Sequence, residues 1–216
     1  MTKNNREIYS ILSSLHENAQ CELNFSTPFE LLVAVILSAQ CTDERVNIVC
    51  RDLFRELPTV EEMAEAPVEQ IESLIKSCGL YRSKAKSIKE SSEILVRDFL
   101  GQVPDNMEDL LSLPGVGRKI ANLLRGDIFG EPAVVADTHC IRICGRLGMY
   151  RESLKDAHKV EIILSELIAP EKQSDFCHRI VQFGRDVCTA RSPKCEECPI
   201  SHLCERAIKS TKNKTV

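Results

Sequence analysis

The sequence has no apolar run long enough to cross a membrane. Its longest, Phe29 to Leu37, is interrupted by Glu30 and falls far short of the ~20 residues a spanning helix requires. No apolar leader follows the polar start Met1 to Arg6, so the chain reads as a cytosolic protein without a membrane partner. A basic excess is also missing: 28 Lys and Arg face 32 Asp and Glu, a net charge of −4, which argues against a chain that binds polyanions over its whole surface. Strand signals are scarce, since the run Ala133 to Ala136 is too isolated to build a sheet. No segment repeats at a fixed period, which excludes solenoids and propellers.

What is present is helical. Thr27-Pro28-Phe29-Glu30 combines a capping-box pattern with proline at the first helical position, ahead of Leu31, Leu32, Val35 and Ile36. Thr59 to Glu62 repeats that logic. Pro67 opens a helix with the stripe Val68, Ile71, Leu74 and Ile75, ended by Cys78-Gly79. Periodicity then predicts helices over 83–99, 107–111, 118–129, 138–147, 156–168 and 175–187. Residues 209–216 read as a frayed polar end. With 43% hydrophobic and 28% charged residues, the 216-residue chain has the composition of a folded all-α protein of one large or two small domains.

Charge is distributed unevenly. From His178 onward, eight bases against four acids leave +4, so the acid excess lies upstream. Cysteine is abundant, at 11 residues, and in a reducing compartment thiols serve metals, catalysis or the core rather than disulfides. Four of them, Cys188, Cys195, Cys198 and Cys204, follow the spacing Cys-x6-Cys-x2-Cys-x5-Cys, with Pro193 and Pro199 keeping the loops out of helices. Four convergent thiolates suit a [4Fe–4S] cluster or a tetrahedral zinc, and spacing alone does not choose. The other seven sit mostly in apolar helical context and read as core.

Leu113-Pro114-Gly115-Val116-Gly117-Arg118-Lys119 separates two predicted helices. Gly115 and Gly117 remove side chains where the backbone turns, so bare N–H groups can face a phosphate at a helix N-terminus. An ordinary helical corner would also favour glycine. Lys119 lies in the first turn beside Arg118, where the helix N-terminus and the guanidinium both disfavour a second cation. A nucleophilic lysine reacts as the neutral amine; the plainer reading is a charged lysine on a phosphate. Asp137 precedes a helix, where aspartate most often acts as an N-cap.

Together these segments resemble the endonuclease III family, bifunctional DNA glycosylases of the helix–hairpin–helix superfamily. The resemblance runs through Leu37-Ser38-Ala39-Gln40 and Thr42-Asp43, Gly79-Leu80-Tyr81 with Ser83-Lys84-Ala85, and Leu113 to Lys119. It continues through Val135-Ala136-Asp137-Thr138-His139, Arg142 and the four-cysteine signature. It implies a two-lobed all-α fold with a DNA cleft between a six-helix lobe, 21–131, and a discontinuous cluster lobe, 1–20 plus 132–216. The C-terminal loop would carry a [4Fe–4S] cluster rather than zinc. The implied partner is duplex DNA containing damaged bases or abasic sites, engaged by a monomer.

By the same resemblance, Lys119 is the Schiff-base nucleophile and Asp137 the catalytic carboxylate. Gln40 fills the vacated stack position and Leu80 wedges the opposite strand. His139 shapes the pocket, Gly115, Gly117 and Arg118 belong to the backbone-gripping hairpin, and Arg191 and Lys194 contact phosphate. Two features depart from the family: Arg125-Gly126-Asp127 stands where apolar or small polar residues are expected, and Cys140 adjoins His139. The alternatives are a monofunctional glycosylase of the same superfamily, opposed by Lys119, a noncatalytic DNA-binding redox sensor, and a zinc-bound structural module.

Overall fold

A computed structural model describes residues 2–214, with side chains for 2–209. Among the described residues the chain forms α-helices, short 3-10 turns and no strand. In order these are α1 (Lys3–Leu15), α2 (Pro28–Ser38), α3 (Asp43–Glu56), α4 (Val60–Glu65), α5 (Val68–Ile75), α6 (Tyr81–Phe99), α7 (Met107–Ser112), α8 (Arg118–Asp127), α9 (Thr138–Leu147), α10 (Ala157–Leu167), α11 (Gln173–Asp186) and α12 (Glu205–Lys214). They group into two compact units, one of residues 21–130 and one of residues 1–20 with 131–216.

In the first unit α2 is apolar on every side, and Phe29 and Leu31 to Leu37 are all buried. A helix of that kind can only be central, and α3, α6 and α8 pack around it. Threonine starts each early helix. Thr27 Oγ1 accepts from Glu30 N at 3.1 Å, and Thr59 with Glu62 forms a full capping box. The sequence reading assigns no helix to 43–56, yet α3 buries Val46, Val49, Cys50 and Leu53 at helical spacing behind a charged outer face.

Two boundaries move. α5 stops at Ile75 rather than at Cys78-Gly79, and α6 starts at Tyr81 rather than Ser83, with Leu80 in a left-handed conformation setting the entry to α6. α8 continues through Gly126 to Asp127, so the glycine there does not break it.

The second unit has its own core of Ile8, Leu12, Ile143, Val160, Phe176, Ile180 and Phe183. α11 packs against both α1 and α9. Arg179 on α11 donates to Asp175 Oδ2 at 2.7 Å and to Ser13 O at 3.0 Å, while Tyr9 donates to the same carboxylate at 2.6 Å. A guanidinium on the last carbonyls of α1 satisfies acceptors that the helix leaves open. The expected frayed end is corrected in part. Residues 205–214 form α12, which packs against α9, while 215–216 lie outside the described residues.

Candidate functional site

The glycine hairpin between α7 and α8 is held from behind by apolar and polar contacts within the first unit. Leu113 and Val116 are buried, and Ser91 Oγ on α6 donates to Pro114 O at 2.8 Å. Gly115 has φ +83°, and a Cβ there would meet Ser87 Cβ at 2.9 Å. Gly117 is extended and caps α8 with no side chain, and a Cβ on it would meet nothing within 4 Å. The rear glycine is thus fixed by packing, whereas the front one borders open space at the N-terminus of α8. Lys119 is exposed in that first turn, one residue after Arg118.

Gln40 and Leu80 share an uncommon backbone. Only three non-glycine residues among those described have positive φ, and they include Gln40 at +55° and Leu80 at +58°. Left-handed non-glycine residues persist where surrounding structure over-determines them, often at functional sites. Leu80 is also 60% exposed, which argues against a core leucine. The third such residue, Leu100, ends α6 in a helix C-cap, a common local cause.

The structure brings the Gln40 and Leu80 turns together. A Cβ on Gly79 would lie 3.5 Å from Gln40 O, so the chains run in contact. Lys84, 5% exposed, sends Nζ to Leu37 O at 2.8 Å, tying the end of α2 to the first turn of α6. Sequence reasoning quoted Lys84 as part of a motif but gave it no role. A buried lysine capping another helix's carbonyl leaves no signal in periodicity.

Asp137, in the second unit, caps α9. Its Oδ1 accepts from Cys140 N at 2.7 Å, so the N-cap role is real and occupies that oxygen. His139 Nδ1 lies 3.2 Å from Arg142 Nη2, and Arg142 also donates to Cys188 O at 3.1 Å. Cys140, the departure beside His139, turns into the core. Its thiol is pushed well up by hydrogen bonding to Cys144 and by burial, and it also bonds Cys177. It is therefore a packing residue.

The four C-terminal cysteines line one recess with an empty volume of about 430 Å³, part of it open to solvent. Ile143, Leu147, Phe183 and Ile200 form its apolar wall. Burial raises the thiols of Cys198 and Cys204, and the neighbouring cysteines add to the effect in both. All four would bind iron as thiolates, their protons passing to solvent as the metal binds. No three His, Cys, Asp or Glu side chains among the described residues converge tightly enough for a single ion. The donor set, apolar wall and recess fit an iron–sulfur cluster.

Arg146 braces that loop, a role the sequence reading missed. Only 6% exposed, it donates to Cys188 Sγ at 3.3 Å, Thr189 O at 2.8 Å and Ala190 O at 2.9 Å. Its position four residues after Arg142, on the inner face of α9, was the available clue. Arg191 and Lys194 are exposed on the same loop, with Lys194 N bonded to Val187 O.

An all-helical chain with a glycine hairpin, an exposed lysine beyond it and a four-cysteine recess defines a helix–hairpin–helix glycosylase with an iron–sulfur loop. The family model described as "HhH-GPD superfamily base excision DNA repair protein" matches residues 33–170, and "Iron-sulfur binding domain of endonuclease III" matches 188–204. Endonuclease III of Bacillus subtilis (strain 168) is 44% identical over 202 residues, covering 93% of this chain and 91% of that protein. Endonuclease III of Escherichia coli (strain K12) is 42% identical over 198 residues, covering 90% and 93%. The structure of a trapped endonuclease III–DNA covalent intermediate superposes with a TM-score of 0.90 at 40% identity, covering 98% of this chain and 100% of that one. The chain belongs to the endonuclease III family. It is a base-excision repair enzyme, a bifunctional DNA glycosylase and abasic-site lyase, and its cofactor is a [4Fe–4S] cluster.

Proposed function

We propose that this enzyme removes oxidised pyrimidines from duplex DNA, with Lys119 as nucleophile and Asp137 as proton acceptor. The single observation that carries the reading is Lys119 itself, exposed in the first turn of α8 directly beyond the Gly115–Gly117 hairpin. A monofunctional glycosylase has no use for an amine there, and a relative of this fold was trapped covalently on DNA.

In the proposed sequence the hairpin amides, with Arg118, grip the phosphate backbone and supply affinity without reading bases. The damaged nucleotide is extruded because its C1′ is unreachable inside the stack. Gln40 fills the vacated position and Leu80 wedges the opposite strand, roles that suit two adjoining exposed turns. Asp137 takes the proton from Lys119 and stabilises cationic character at the sugar through an oxygen not used by its cap. Lys119 Nζ attacks C1′, the base departs and takes up a proton, and the C1′–O4′ bond of the aminal then breaks, O4′ taking the amine's proton. The resulting imine acidifies the C2′ proton, whose loss expels the 3′ phosphate and nicks the strand. His139 borders this chemistry through Asp137's helix.

Cys188, Cys195, Cys198 and Cys204 hold the cluster, and Arg191 and Lys194 on its loop contact phosphate. The bound cluster ties the loop into one rigid element and carries no part of the bond cleavage. The enzyme acts as a monomer, in the cytosol.

The experiment is excision on a duplex bearing one thymine glycol, scored separately for free base and for strand nicking. Wild type should do both in step, and undamaged duplex should remain intact. Base release without nicking would overturn the lysine assignment, and no release from any oxidised pyrimidine would overturn the substrate.

A further inference from the structure

Cys41 directly follows Gln40, and Cys78 lies two residues before Leu80. The turns that carry them are in contact, since a Cβ on Gly79 would lie 3.5 Å from Gln40 O, and the two thiols interact electrostatically across them. Cys78 is buried at the base of its turn, whereas Cys41 is half exposed, so a small reagent can reach one member of the pair. The three thiols of Cys140, Cys144 and Cys177 also lie together, but all are buried and closed to solvent.

We infer that Cys41 and Cys78 form a reversible disulfide site that fastens the Gln40 turn to the Leu80 turn and suppresses base extrusion when the enzyme is oxidised. The inference rests on the proposed stack-filling and wedging roles of Gln40 and Leu80. The turns already touch at Gly79 and are anchored by Lys84 to Leu37 O, so the sulfurs are pre-positioned rather than brought together by chance. The oxidant is a small-molecule disulfide. The Cys41 thiolate attacks it, forms a mixed disulfide and releases one thiol. The Cys78 thiolate then attacks Cys41 Sγ and releases the second thiol. Two electrons and two protons pass from the enzyme to the oxidant.

Burial pushes the Cys78 thiol up to about 11, and its interaction with the Cys41 thiol adds to this. The second step is therefore slow, because little thiolate is available. Once closed, the bridge holds its sulfurs at about 2.05 Å, closer than two free thiols can approach, and so shifts both turns. Displacing groups by about 1 Å in a pre-organised site can reduce rates roughly 100-fold.

The test incubates the reduced holoenzyme with oxidised glutathione while the cluster's visible absorbance is followed. Non-reducing peptide mapping then locates the bridges. A Cys41–Cys78 cross-link is expected, with excision falling about 10- to 100-fold and recovering with dithiothreitol. Cys41→Ser should keep its activity through the same treatment with its cluster intact. The proposal is overturned if Cys41 carries only glutathione while Cys78 stays alkylatable on unfolding, or if the bridged enzyme excises at the reduced enzyme's rate. Reduced Gln40→Ala and Leu80→Ala enzymes with undiminished excision would remove the reading it rests on. That failure is distinguishable, because the bridge is mapped by mass whatever those residues do.

Discussion

Replacing the two hairpin glycines should separate stability from DNA binding. At Gly115, alanine must adopt φ +83°, which costs about 1–2 kcal/mol. Its Cβ would also sit 2.9 Å from Ser87 Cβ, well inside the 3.5–4.0 Å at which carbons pack comfortably. Overpacking of this kind adds about 1–3 kcal/mol. The sum, about 2–5 kcal/mol, corresponds to a Tm lower by roughly 5–15 °C for a chain of this size. At Gly117 the backbone is extended and the Cβ position is open, so alanine should cost only about 1 kcal/mol or less, mostly through a poorer N-cap. Yet that Cβ projects where a phosphate would approach the α8 amides, so Gly117→Ala should weaken binding to abasic-site duplex. Thermal melting and equilibrium binding on both holoenzymes check this. A Gly115→Ala protein as stable as wild type, or a Gly117→Ala protein with full affinity, would refute the division of labour.

Substitutions at three further positions test other links. Asp137→Asn should melt with wild type, because asparagine caps helices as well as aspartate does, while base excision falls at least about 100-fold for want of a proton acceptor; a matching loss of stability would reduce Asp137 to a cap. Arg146→Ala should cost about 2–4 kcal/mol and speed cluster loss, read from visible absorbance on heating, since it strands two loop carbonyls and the Cys188 sulfur contact. Lysine at 146 should not rescue it, as a point charge cannot span all three acceptors. Burial works against the Asp175 carboxylate, but the hydrogen bonds from Arg179 and Tyr9 prevail and hold it below the ordinary range. The stabilisation is present above the unfolded value near about 3.9 and fades as pH falls through the folded one. Melting curves of Asp175→Asn should therefore lie below wild type at neutral pH and converge with it only once pH falls below the depressed folded value.

The helices were legible where periodicity and caps agreed. Thr59 with Glu62, Asp137 before α9, and Asp156 before α10 mark starts that local hydrogen bonds enforce. α3 was overlooked because charges crowd its outer face and mask a four-residue apolar stripe. The start of α6 shifted because Leu80 is left-handed, a state that its side chain gives no reason to expect. In the site, Gln40 and Leu80 were named through family resemblance alone, and their positive φ angles supply an independent physical mark. Lys84 and Arg146 stayed hidden for a common reason. Each is a buried cation held by carbonyls brought near only by the folded chain, 47 residues away for Lys84 and 43 and 44 for Arg146.

The central claim is that Lys119 forms an imine with the sugar of a damaged nucleotide. It is tested most directly by borohydride reduction during turnover on duplex DNA carrying a single oxidised pyrimidine, followed by peptide mass mapping of the adduct. The account predicts a stable protein–DNA adduct attached at Lys119, absent from Lys119→Ala and diminished in Asp137→Asn. An adduct mapped to another amine, or efficient base release with no adduct at all, would contradict it.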